Sequence, residues 1–274
     1  MIKGMTKYHL LVLFREPMNL IFGFTLPFFF LFIGVTSEYG AELVNMIFIP
    51  IYMMIAVMVL SFTDSALSHT HSRQVRFLQR LRMTPVKPAS YVLTGILSRF
   101  VILLIFAIIF IGVASVIYDL DLAYRNLPLF TAVLILVFVM FYSIGMFTAN
   151  ILKGAKNSQN LVWIVFFGLL IVGGNAALQL ENMPETLQTI AKILPPVQAA
   201  IALQTAWGGY DTLQNFFFFE MVLVALIMGG VFILLRNRKH QQAKMKILGI
   251  LLVIVGIIAT LILGANQMLF LHAH

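Results

Sequence analysis

The chain reads as long apolar runs separated by short polar gaps: Met18 to Val35, Leu43 to Phe62, Val92 to Ile117, Leu127 to Ala149, Leu161 to Leu178, Phe216 to Leu235 and Ile247 to Phe270. Runs of about 18 to 25 apolar residues, rising 1.5 Å per residue as helices, cover a hydrocarbon core about 30 Å thick. The pattern predicts an all-α integral membrane protein with about seven transmembrane helices. The first run has a basic start, but it is Phe-rich, contains Pro27 and lacks a small-x-small cleavage site, so it is expected to stay as a helix.

Two further segments carry helical periodicity without the length to span. Met1 to Glu16 spaces Lys3, Lys7 and Arg15 among Ile2, Met5, Val12 and Leu13, which suits an N-terminal helix lying along the inner interface. After the fifth run, Gly173-Gly174 is expected to loosen the helix, and Asn182-Met183-Pro184-Glu185 looks like a fresh start. Leu187, Ile190 and Leu194 then recur until Pro195-Pro196 stops that helix, and Val197 to Ala206 forms a second short piece. Short re-entrant helices dipping into the outer interface would bury both without exposing unpaired backbone to lipid.

Composition supports the bilayer. Hydrophobic residues make up 61% and charged residues 10%, whereas soluble domains carry about 25% charged residues. The net charge of +8 does not indicate nucleic acid, because the basic residues sit in the gaps between apolar runs. With the N-terminus inside, all 18 Lys and Arg except Arg125 and Lys192 fall inside or at the inner boundary, which fixes orientation by the positive-inside rule. The C-terminus is then outside a bacterial-type plasma membrane. Cysteine is absent, so neither disulfides nor thiolate metal sites arise.

The gap after the second run, SRQVRFLQRLRMTPVKPASYVLTGIL, places Arg73, Arg76 and Arg80 on one helical face and Val75, Leu78 and Leu81 on another. Topology requires the charge but not the apolar stripe, nor the stop at Thr84-Pro85. This segment resembles the cytoplasmic signature of the ABC transporter permeases of the drug- and polysaccharide-exporter class. ENMPETLQTIAKILPPVQAAIALQTAWGG resembles the outer helices of that family, and FREPMNLIFGFTLPFFFLF its first span. The three matches occur in family order and cover most of residues 1–238. The resemblance implies a permease of residues 1–240 that dimerises with an identical or similar half. Its ATP and Mg would be bound by a separate cytoplasmic ATPase subunit, and Arg73, Arg76, Phe77, Arg80 and Arg82 would form the coupling helix against it. The family usually has six spans per half, so 241–274 is an additional C-terminal helix.

By the same resemblance, the substrate passage lies between the second and fifth spans of two halves, lined by Met53, Met54, Val57, Phe166 and Leu170. Asn175 fits either interhelical hydrogen bonding or substrate contact. Glu220, inside the sixth run, is either a transport group or a carboxylate snorkelling to the interface. His69-x-His71 and His272-x-His274 lack Cys neighbours, and the first is read as part of a polar cytoplasmic loop, so no metal site is expected.

The phosphate-loop pattern G-x-x-x-x-G-K-[ST] does not occur, which places ATP hydrolysis on another chain, and no H-E-x-x-H or paired acid-base set supports an intramembrane enzyme. An ion-driven secondary transporter would show internal repeats and several mid-membrane carboxylates, whereas Glu220 is read as the sole acidic residue within a span. The expected function is export of a drug, antimicrobial peptide or lipid-linked molecule. A polysaccharide or teichoic-acid exporter is the alternative, disfavoured because Trp163, Trp207 and Tyr210 offer no stacking track for sugars.

Overall fold

The computed structural model describes residues 17–36, 44–74, 88–119, 126–151, 155–179, 184, 194–208 and 222–227. Among these the fold is all-α. Helix α1 is Pro17–Thr36. Four consecutive segments, Val44–Phe48, Ile49–Met58, Val59–Thr63 and Asp64–Gln74, form one unbroken helix, α2. Then follow α3, Pro88–Tyr118, α4, Leu127–Ile151, α5, Ala155–Gln179, and the short α6, Pro195–Gly208. Among the described residues three helical stretches are long and apolar enough to cross a membrane, namely Val44–His71, Leu93–Tyr118 and Leu127–Ala149, with shorter apolar stretches at Ile21–Ile33 and Gln159–Ile171.

Helix α2 is the axis of the bundle: 83% of its apolar span is buried, against 33% for α3. A helix apolar on all sides is stable only when surrounded, and α2 packs against α1, α3, α4, α5 and α6. The outer faces of α3 and α5 instead present Ile105, Ile108, Val116, Ile164 and Ile171, the surface expected of helices facing lipid.

Because lipid removes the hydrophobic drive between helices, close packing and polar contacts must hold them. Aromatic rings join α1 to α3, with Phe24 edge-on to Phe106 at 4.9 Å and Phe28 at 5.4 Å from Phe110. Tyr118 donates its hydroxyl hydrogen to the Leu31 carbonyl at 2.9 Å. Pro27 lies inside α1, where its ring removes a backbone bond to Gly23. Gly23 sits so near α2 that an added Cβ would lie 3.1 Å from the Leu60 side chain.

Helix ends follow local chemistry. Asn126 caps α4, its side-chain oxygen accepting from Leu129 N–H at 3.1 Å and its carbonyl from Phe130 N–H at 2.9 Å. Asp119, at φ 48°, ends α3 in the left-handed conformation.

Several boundaries differ from the pattern. The second span does not end at Phe62, since α2 continues to Gln74; Asp64, Ser65, His69 and Thr70 are buried, and each is bonded within the bundle. His69 is therefore a bundle residue and not part of a polar loop, and Asp64 is an acidic residue inside a span, so Glu220 is not the sole one. Ser72, Arg73 and Gln74 belong to α2 and do not open a separate helix. Gly173-Gly174 does not interrupt α5, which continues to Gln179. Pro195-Pro196 starts α6, prolines being suited to a first turn whose N–H groups lack partners anyway. Residues 222–227 of the sixth run are helical; the rest of that run, the N-terminal interfacial helix and 241–274 lie outside the described residues.

Candidate functional site

Helix α2 departs from α-helical winding twice. The turn Val44–Phe48 is π-helical just before Pro50, whose ring would clash with the carbonyl four residues back in a regular α-helix. Here α6 is fastened. Trp207 donates its indole N–H to Asn45 Oδ1 at 3.2 Å, Gln204 donates to the Ile47 carbonyl at 3.5 Å, and Phe130 of α4 meets the Trp207 ring at 5.0 Å. Eight of the residues after Pro196 in α6 are buried, so this short helix is an inner wall of the bundle and not a surface element.

The second π turn, Val59–Thr63, ends just before the buried Asp64. Gly145 of α4 presses on it, and an added Cβ would overlap Ser65 Oγ and the Phe62 carbonyl. Ser65 donates to the Phe62 carbonyl at 3.1 Å and to the Tyr142 carbonyl of α4 at 3.2 Å, a bifurcated contact tying the two helices. One residue earlier, Asp64 accepts a hydrogen bond from Arg99 Nε of α3 in an ion pair 3% and 4% exposed. Arg99 also donates from Nη1 to the Gly95 carbonyl at 3.1 Å.

Tyr142 joins the third helix to this pair. Its ring centroid lies 5.9 Å from the Arg99 guanidinium carbon, within cation–π range, and its hydroxyl meets His69 Nε2 at 3.3 Å. Asp64, His69, Arg99 and Tyr142 thus link α2, α3 and α4 away from water. Two charges in so poor a dielectric are tolerated only as a hydrogen-bonded pair; removing one partner from such a pair typically costs about 3–5 kcal/mol. Among the described residues no group of three or more His, Asp or Glu could hold a metal ion.

The residues expected from sequence fall differently. Met53, Met54 and Val57 of α2 and Phe166 of α5 are wholly buried in one core cluster, and Leu170 is half-buried against it. Arg73 lies in the last turns of α2 and Asn175 on α5. Arg76, Phe77, Arg80, Arg82 and Glu220 lie outside the described residues. Sequence reasoning missed Asp64, Arg99 and Tyr142 as a set. A signal was present for the two charges: Asp64 stands ten residues before the end of α2 and Arg99 eleven after the start of α3, at matched depth on either side of one connection, and an ionisable group within a span normally has a named partner. Tyr142, one of several ring-bearing positions in α4, had none.

Comparison with curated proteins and with solved structures gave no match. The family model described as "ABC-2 type transporter" matches residues 2–206, a range that includes α1 to α5 and nearly all of α6. With three-quarters of its length matched and membrane-length helices among those residues, the chain belongs to the ABC-2 type transporter family and is the membrane-spanning permease part of such a transporter.

Proposed function

We propose that this permease exports an amphipathic or apolar compound, such as a drug, an antimicrobial peptide or a lipid-linked molecule. It would pair with a second permease half and take its energy from a separate cytoplasmic ATPase that holds ATP and Mg. The family match over residues 2–206 carries this reading, since permeases of this type generally work with an ABC ATPase. The 75–87 connection, between α2 and α3 in the chain, is the proposed ATPase contact together with Arg73, and Arg73, Arg76, Phe77, Arg80 and Arg82 are its proposed contact residues. The proposed passage runs between α2 and α5 of the two halves. Met53, Met54, Val57 and Phe166 are closed into the core of one chain, so the passage opens by parting α2 from α5, and Met side chains there adapt to varied cargo.

The test is uptake of a fluorescent amphipathic dye by inverted membrane vesicles holding the permease with a co-expressed phosphate-loop ATPase. ATP-driven accumulation that is abolished by vanadate is the expected result. Accumulation in right-side-out vesicles only would reverse the direction, and an ATPase that never co-purifies would remove the coupling reading.

A further inference from the structure

We propose that Asp64, Arg99 and Tyr142 form a clamp that makes α2 and α3 move as one body, so that a push on the 75–87 connection reaches the bundle instead of splaying its two ends. The inference rests on the reading of that connection as the ATPase contact, and it assigns to three buried residues the task of carrying the displacement onward.

The geometry points to this in three ways. The ion pair lies about 15 Å along α2 from Gln74, at 1.5 Å per residue, and slightly farther along α3 from Pro88. Over that distance the lower part of α2 packs chiefly on α4 and α5, with little backbone approach to α3. The Arg99 side chain reaches across to α2 where few backbone contacts do. Tyr142 extends the link to α4 through its ring under Arg99, its hydroxyl at His69 and its carbonyl at Ser65. Finally, the link sits directly beside the π turn Val59–Thr63, where the hydrogen-bond ladder of α2 changes register and the helix can bend. A displacement held rigid up to Asp64 and released at that turn would swing the lower part of α2 relative to its upper part. Asp64 and Arg99 are in this sense positioning residues; they touch no cargo.

The chain has no cysteine, so spin-label pairs can be placed without background. His71 on α2, Leu93 on α3 and Leu161 on α5 are all exposed. In the reconstituted complex with its ATPase, MgATP with vanadate is expected to change the His71–Leu161 distance and leave His71–Leu93 unchanged. In Arg99→Gln and Asp64→Asn the His71–Leu93 distance is expected to broaden and shift, and the ATP-driven change at His71–Leu161 to be lost. Arg99→Lys, and the exchange Asp64→Arg with Arg99→Asp, should restore both. A His71–Leu93 distance that shifts in the unmodified chain overturns the clamp without any variant having to fold. So does a neutralised pair that leaves both distances behaving as before. If the unmodified chain shows no vanadate response at His71–Leu161 while the ATPase is bound, the 75–87 contact itself is misassigned and the clamp falls with it.

Discussion

Gly145 is more tightly enclosed than Gly23, Gly112 or Gly168. Its missing side chain lets α4 lie against the Phe62 carbonyl and Ser65 Oγ, and neither backbone nor a doubly bonded hydroxyl can retreat cheaply. Gly145→Ala is therefore expected to destabilise the protein by about 1–3 kcal/mol, the usual range for overpacking. Gly112 on α3, beside which nothing lies within 4 Å, should accept alanine without loss, since a helix interior gains from the change. Denaturant titration of both variants in the same detergent checks the pair; equal effects would show that helix propensity, not contact, decides. The same residue scale explains what sequence could not convey. Asp64 and His69 end an apolar run when α2 is read alone, and only their partners on α3 and α4 make them members of the span.

At the scale of elements, apolar length located α1, α3 and α4 to within a few residues, because lipid demands one property over a fixed distance. The part of α2 beyond Phe62 escaped for the reason just given. The π turns escaped because a change of hydrogen-bond register has no compositional mark beyond Pro50. Helix α6 was legible as a short piece starting near Pro195-Pro196, yet its burial was not, since fourteen residues of mixed character suit an interface as well as an inner wall. Its fastening can be tested. Trp207→Phe keeps the ring against Phe130 and removes the bond to Asn45, so a loss of about 0.6 kcal/mol, typical of interhelical hydrogen bonds in membranes, is expected in unfolding. A much larger loss would mean that indole shape carries the contact. On the connection between α2 and α3, Phe77→Ala and the double change Arg76→Glu with Arg80→Glu are each expected to reduce ATPase co-purification. Truncation removes an anchor worth about 2 kcal/mol, and the reversal sets like charge against the partner.

For the whole molecule, the distribution of Lys and Arg predicts a cytoplasmic N-terminus and an external C-terminus. Single cysteines at Ser37, Asn126, Thr212 and Ala273 should react with impermeant thiol reagents on intact cells, and those at Ser72, Ser158 and Gln241 only after permeabilisation. Protection at Ala273 would remove the seventh span while leaving the six that precede it. The bundle thus combines a surrounded α2 with exposed apolar flanks on α3 and α5, an arrangement whose family was legible from three segments of sequence and whose internal polar link was marked there only by its two charges.

That link also bears on how the chain is made. An Asp in a helix released alone into lipid carries an insertion penalty that reaches about 2.5–3.5 kcal/mol at the helix centre, and Asp64 meets its Arg partner only 35 residues later in the chain. At ribosomal speeds of about 5–20 residues per second, the wait is about 2–7 s. During biosynthesis α2 and α3 are thus favoured to leave the translocon as a hairpin, neutralised in pairs, before α4 arrives to close Tyr142 over them.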